Sequence, residues 1–152
     1  MDCRTFFITA VTWRRIPIFR VEARARLLID VMLGYRDQGK FLLHEFVVMP
    51  DHAHAVLTPS CEISLERAVQ FIKGGYSYRL RKTERIQVWQ EGFTNHRIRD
   101  VEDYRCHCEY VRLNPIRAGL ARDAELYPYS SARKEFRMDE MPQGLKPFSK
   151  IA

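Results

Sequence analysis

The sequence predicts an α+β fold of the ferredoxin-like kind, an antiparallel sheet with helices on one face, plus a separate helix that carries a tyrosine. Two observations lead there. Apolar periodicities follow one another as strand, helix, strand, strand, helix, strand, helix, and a β-α-β-β-α-β order is the ferredoxin-like plan. At 152 residues, 46% apolar and 29% charged, the chain is also long enough to close one hydrophobic core without structural metal or disulfides.

Each element has its own signal. Phe6 to Trp13 mixes aromatic and β-branched residues and reads as the first strand, ended by Arg14-Arg15-Ile16-Pro17. From Val21 to about Tyr35, Ala25, Leu28, Ile29 and Met32 recur at helical spacing, and Gly39 ends the run. Phe41 to Met49 and His52 to Leu57 are two strands of a hairpin turned at Pro50-Asp51. Ser64 is placed to cap a helix with Leu65, Val69, Ile72 and Tyr76 on one face. Gln87 to Phe93, then Asn95 to Arg99, is expected to form the fourth strand, irregular at Gly92. Asp100 can cap a helix from Val101 to about Leu113, expected to stop near Asn114-Pro115 because proline disfavours helical geometry in the residue before it. Residues 1–131 are expected to be one catalytic domain and 132–152 a C-terminal tail.

The N-terminus has no signal-peptide layout and no apolar run reaches membrane-span length. The four cysteines, Cys3, Cys61, Cys106 and Cys108, match no secreted-scaffold spacing, so reduced thiols and a cytoplasmic protein are expected. Net charge is +6, carried by 19 Arg and 6 Lys. The planar guanidinium grips phosphate bidentately, so this bias points to a polyanionic partner beside the plainer reading of a solvated basic surface.

The chemistry gathers in two places. In VVMPDHAHAVLTP, His52 and His54 are two apart on a strand and therefore share a face, which suits two cis ligands on one metal ion. The competing reading is a half-buried pair satisfied by hydrogen bonds. On the last helix Asp103, His107, Tyr110 and Asn114 fall at intervals of four, three and four, on an arc apart from the apolar Val101, Tyr104, Cys108 and Val111. A tyrosine hydroxyl, with a pKa of about 10, attacks phosphorus only with help, and a metal on His52, His54 and Asn114 would give it. Cys106 and Cys108 project about 200° apart on a helix and cannot chelate together. Asp51 reads as a turn residue, with His96 and Asp103 as outer candidates around the metal.

These segments resemble a known family. MPDHAHAVLTP is similar to the HUH motif of single-tyrosine transposases. EYVRLNPIRAGL with YPYSS, VWQEGFTNHRIRD and FFITAVTWRRIPIF resemble segments of REP-associated tyrosine transposases, so the likeness runs from about Phe6 to Ser131. It implies a metal-dependent enzyme that cuts and rejoins single-stranded or hairpin DNA through a 5′ phosphotyrosine, with Tyr110 as nucleophile and His52, His54 and Asn114 as metal ligands. Mg2+ or Mn2+ would serve, manganese being the easier partner for two imidazoles, and no nucleotide cofactor is needed. DNA contacts are expected from Arg14, Arg15, Lys73, Arg79, Arg81, Lys82, Arg112 and Arg117, with Tyr76, Tyr78, Phe93 or Tyr129 stacking on bases. A monomer and a homodimer are both compatible.

Two other readings compete with this one. Histidine-triad nucleotide hydrolases also alternate histidines with apolar residues, but Val56 stands where their nucleophilic histidine is required. A ferredoxin-like, RRM-like sheet with basic helices is also the plan of a non-catalytic single-stranded nucleic-acid-binding module.

Overall fold

The computed structural model describes residues 3–147. Its sheet comprises β1 (Thr5–Val11), β2 (Phe41–Met49), β3 (His52–Pro59) and β4 (Thr94–Ile98), in the order β2-β3-β1-β4 with every neighbouring pair antiparallel. Helices α1 (Glu22–Asp37) and α2 (Leu65–Leu80) cover one face, and α3 (Val101–Arg117) packs on the other. This is the ferredoxin-like arrangement with the tyrosine helix set apart from the other two.

Period two along β1 and β3 sorts side chains between the layers. Ile8, Ala53, Ala55 and Leu57 join Leu28, Met32, Val69 and Ile72 in the larger core. Val56, with Phe7 packed alongside, faces Tyr104, Cys108 and Val111 of α3 in a second core. Ala53 and Ala55 are therefore buried filler on the face opposite the histidines. At Gly75 the two covering helices come so close that a Cβ would sit 2.7 Å from the Tyr35 ring.

β2 breaks the alternation. Leu43 pairs with Leu57 but Glu45 with Val56, so His44 is the extra residue of a bulge. Leu43 consequently faces the α1/α2 core, while Val47 and Met49, of the same parity, face α3. The bulge also carries Glu45 to the α3 side, where its carboxylate accepts from Arg112 at 2.6 Å and from the Ser131 hydroxyl.

Both caps form as the sequence suggests. Ser64 accepts from the Arg67 backbone N–H at 3.1 Å, and Asp100 from that of Asp103 at 2.7 Å. Other expectations are corrected. α3 does not stop at Asn114 but continues to Arg117, with Pro115 buried inside its last turns. Packing of Val111 and Pro115 outweighs the missing N–H, and Ala118 and Leu120 close the end by donating to Asn114 and Pro115 carbonyls. Gln87 to Phe93 is not a strand: it touches the end of β1 through one bridge, Thr12 with Trp89, before Gly92, at φ 79°, turns the chain into β4.

The cysteines also depart from expectation. Cys3 and Cys61 form a disulfide, 58 residues apart in sequence, with Cα atoms 5.0 Å apart. Antiparallel pairing of β1 with β3 sets the segment leading into β1 beside the segment leaving β3, a proximity that spacing alone does not reveal. Cys106 is exposed and Cys108 buried, on opposite sides of α3. Among the described residues, no helix is long and apolar enough to cross a membrane.

Beyond α3 the chain lies along the β2 edge. Val48 donates to the Tyr129 carbonyl, Ser131 to that of Phe46, and Asp139 to that of Leu43. It then reaches the start of α3, where Lys146 and Arg99 bond and Val101 donates to Lys146. The last part of the expected tail, 148–152, lies outside the described residues.

Candidate functional site

The site lies where the start of β3, the end of β1 and the middle of α3 meet. Thr9 pairs with His54 and Val11 with His52, so both imidazoles stand on the α3 side of the two central strands. Their ring centroids are 4.7 Å apart. The His54 ring lies 5.5 Å from that of Tyr110, edge to face, and Tyr110 remains 40% exposed, open to a large ligand.

Each histidine is held through Nδ1. The Asp51 carboxylate accepts from Nδ1 of His52 at 2.7 Å, and Thr9 Oγ1 lies 2.8 Å from Nδ1 of His54. With Nδ1 occupied, Nε2 is the atom each ring has to offer, the usual way an outer partner orients a metal-binding histidine. Burial, then the neighbouring His52, pushes His54 down to about 3, so its imidazole is neutral at physiological pH and keeps a lone pair to donate. Burial would raise the Asp51 carboxyl, but the bond and charge of His52, with Arg15 at 3.6 Å, outweigh it and hold the group below its usual range. Asp51 is thus more than a turn residue: it orients a histidine.

Asn114 follows Tyr110 by four residues inside the continuous helix, so the two share a face of α3. Two imidazoles and a neutral amide oxygen make a donor set that fits a divalent cation tolerant of nitrogen ligands, with manganese better suited than magnesium.

Residues that sequence reasoning missed hold the centre together. Phe7 lies 5.1 Å from His54, 4.9 Å from His107 and 5.8 Å from Tyr110, a hub for three rings. Its strand position was readable, but which rings it meets depends on how α3 docks. Glu45 and Ser131, with Arg112, pin α3 to β2 two residues beyond Tyr110.

The basic residues divide into sets. Arg117 lies over the Tyr110 ring at 5.5 Å. Arg14 and Arg15 flank the site in consecutive left-handed conformations, at φ 52° and 56°. Lys73 is engaged elsewhere, donating to the Gln90 and Gly92 carbonyls at 3.0 and 2.6 Å, and Arg112 is engaged by Glu45. Arg79, Arg81 and Lys82 end α2, in the layer across the sheet from Tyr110. Of the candidate stacking residues Tyr76 is excluded, being fully buried with its hydroxyl donating to the Arg24 carbonyl, whereas Tyr78 is 64% exposed.

A central strand thus bears two oriented histidines, opposed by a helix that bears one open tyrosine. The family model described as "Transposase IS200 like" matches residues 4–114, which include every strand, both histidines, Tyr110 and Asn114. The chain belongs to this family of IS200-like transposases. It is 24% identical over 145 residues to the REP-associated tyrosine transposase of Escherichia coli K12, covering 88% of this chain and 84% of that one. A solved REP-associated tyrosine transposase, bound to a REP hairpin, superposes with a TM-score of 0.73 at 24% identity, covering 98% of this chain and 91% of that one. A Deinococcus radiodurans R1 crystal structure shares the fold at a TM-score of 0.56 and 16% identity, over 79% and 92% of the two chains.

Proposed function

We propose that this chain is a metal-dependent single-stranded DNA endonuclease and strand transferase that works through a 5′ phosphotyrosine at hairpin-forming palindromic repeats. The observation that carries this reading is the open Tyr110 ring 5.5 Å from His54, on the face His54 shares with His52. Membership of a transposase family and a structural neighbour bound to a REP hairpin support the substrate class.

The step is a transesterification. The Tyr110 oxygen attacks phosphorus, a P–O(Tyr110) bond forms, the P–O3′ bond breaks, and the phenolic proton is taken up at the departing 3′ oxygen. The reverse attack by a 3′ hydroxyl rejoins strands without ATP. A bound Mg2+ or Mn2+, held by His52, His54 and Asn114, would supply Lewis-acid polarisation of the phosphate. Asp51 and Thr9 fix the imidazole orientations, Phe7 and the Glu45–Arg112 pair fix α3, and Arg117 offers positive charge beside the nucleophile.

The test is covalent capture of labelled single-stranded hairpin DNA with Mn2+, read on a denaturing gel. Adduct from the unsubstituted chain, absent with Tyr110→Phe and with His52→Ala, is expected. Adduct that persists in Tyr110→Phe overturns the nucleophile, and retained hairpin binding with no adduct from any form indicates a binding-only protein.

A further inference from the structure

A second cluster of metal-binding side chains stands beside the candidate active site. His96 lies on β4 opposite Phe7 of β1, and Asp103 and His107 lie one turn apart at the start of α3. The Asp103 carboxylate meets Nε2 of His96 at 2.6 Å and Nδ1 of His107 at 3.0 Å. The two imidazoles stack with centroids 4.6 Å apart and planes only 16° from parallel. One potential ligand atom from each residue lies within 4.8 Å of the other two.

We propose that His96, Asp103 and His107 form a second divalent-metal site, suited to zinc or a similar borderline transition metal, that clamps β4 to α3. Two imidazoles and one carboxylate are the donor set of three-ligand zinc centres, with water completing a tetrahedron. Donor atoms in such a tetrahedron are roughly 3.3 Å apart, so the carboxylate contacts need open only slightly. Side-chain rotation suffices, because His96 is 49% and Asp103 28% exposed.

Sequence and fold both support the placement. Asp103 is fixed by the cap at Asp100, and His107 follows it at the i+4 position that brings helical side chains together. The site is separate from His52 and His54: the Phe7 ring stands between the two groups, 5.1 Å from His54 and 4.9 Å from His107. As at His52 and His54, two nitrogen donors disfavour magnesium, and here the Asp103 carboxylate adds a negative charge that the amide of Asn114 does not. Closing the cluster would hold the first turns of the helix whose next turn carries Tyr110. The inference does not depend on the strand-transfer reading.

The experiment is equilibrium dialysis of the full chain against zinc, with Cys106→Ser removing the exposed neighbouring thiol. In a His52→Ala/His54→Ala background, one equivalent of zinc is expected, lost when His96→Ala and His107→Ala are added. In the chain that keeps His52 and His54, the same two substitutions are expected to lower the stoichiometry by one. A zinc-dependent rise in melting temperature, abolished by the exposed-residue change His96→Ala, is the second expected readout. Zinc stoichiometry unaffected by His96→Ala/His107→Ala, or no zinc retained by the His52→Ala/His54→Ala protein while its circular dichroism is native, overturns the proposal.

Discussion

Arg112→Ala is expected to act on stability, where a phosphate-gripping arginine would act on DNA affinity. In the fold its guanidinium donates to Glu45 at 2.6 Å, and the two side chains are 44% and 12% exposed. Stranding one partner of a fully buried pair costs about 3–5 kcal/mol, whereas solvent-exposed pairs contribute about 0–1 kcal/mol. Burial already raises the Glu45 carboxyl, opposed by the Ser131 bond and by Arg112, so loss of Arg112 lets Glu45 escape part of the cost by protonating. With Arg112 nearly half exposed and Ser131 still bonded, about 2 kcal/mol is the expected loss, intermediate between those limits. Urea unfolding would then show a midpoint lower by about 1 M at an unchanged slope of roughly 2 kcal/mol/M. Glu45→Met/Arg112→Met should recover most of it, since a pair removed together leaves no stranded charge. The salt dependence of hairpin binding should be unaltered. Stability within about 0.5 kcal/mol of the unsubstituted chain, together with a salt slope reduced by about one, would refute the reasoning and return Arg112 to the DNA surface.

Arg117→Ala is the converse: an exposed cation over Tyr110, whose loss should leave stability within about 0.5 kcal/mol but weaken hairpin binding and lower the salt slope by about one, measured by titration at several ionic strengths. Asp51→Asn should weaken Mn2+ binding about 10- to 100-fold by loosening His52, with unfolding little changed; calorimetric titration of the metal reads this, and unaltered affinity would remove Asp51 from the orienting role. Burial lowers His44, so its unfolded form binds a proton first as pH falls below about 6.5, and metal-free stability should fall on acidification through that range by at most about 1.4 kcal/mol per pH unit from this group. Glu45 is raised and has the opposite sign, gaining protons first in the folded state, so denaturation across pH 7 to 5 should be steeper for Glu45→Gln and flatter for His44→Gln.

The sequence by itself determined the element order, both helix caps, the hairpin at Pro50-Asp51 and the pairing of His52 with His54 on one face. These depend on period two, period 3.6 and single capping residues, all of which act between neighbours in the chain. It also set Asp103, His107, Tyr110 and Asn114 on one helical arc. Only the tertiary structure decided which side of the sheet that arc addresses, and it set Phe7 among three rings that lie 47, 100 and 103 positions further along the chain. The β2 bulge was hidden because FLLHEFVVM is buried on both faces from Leu43 onward and shows no polar–apolar alternation, so nothing in its pattern shows Glu45 changing sides. The Cys3–Cys61 bond and the engagement of Arg112 and Lys73 were unreadable for the same reason. A charge or thiol in sequence carries no mark of its partner, because strand register and helix docking bring the partner there.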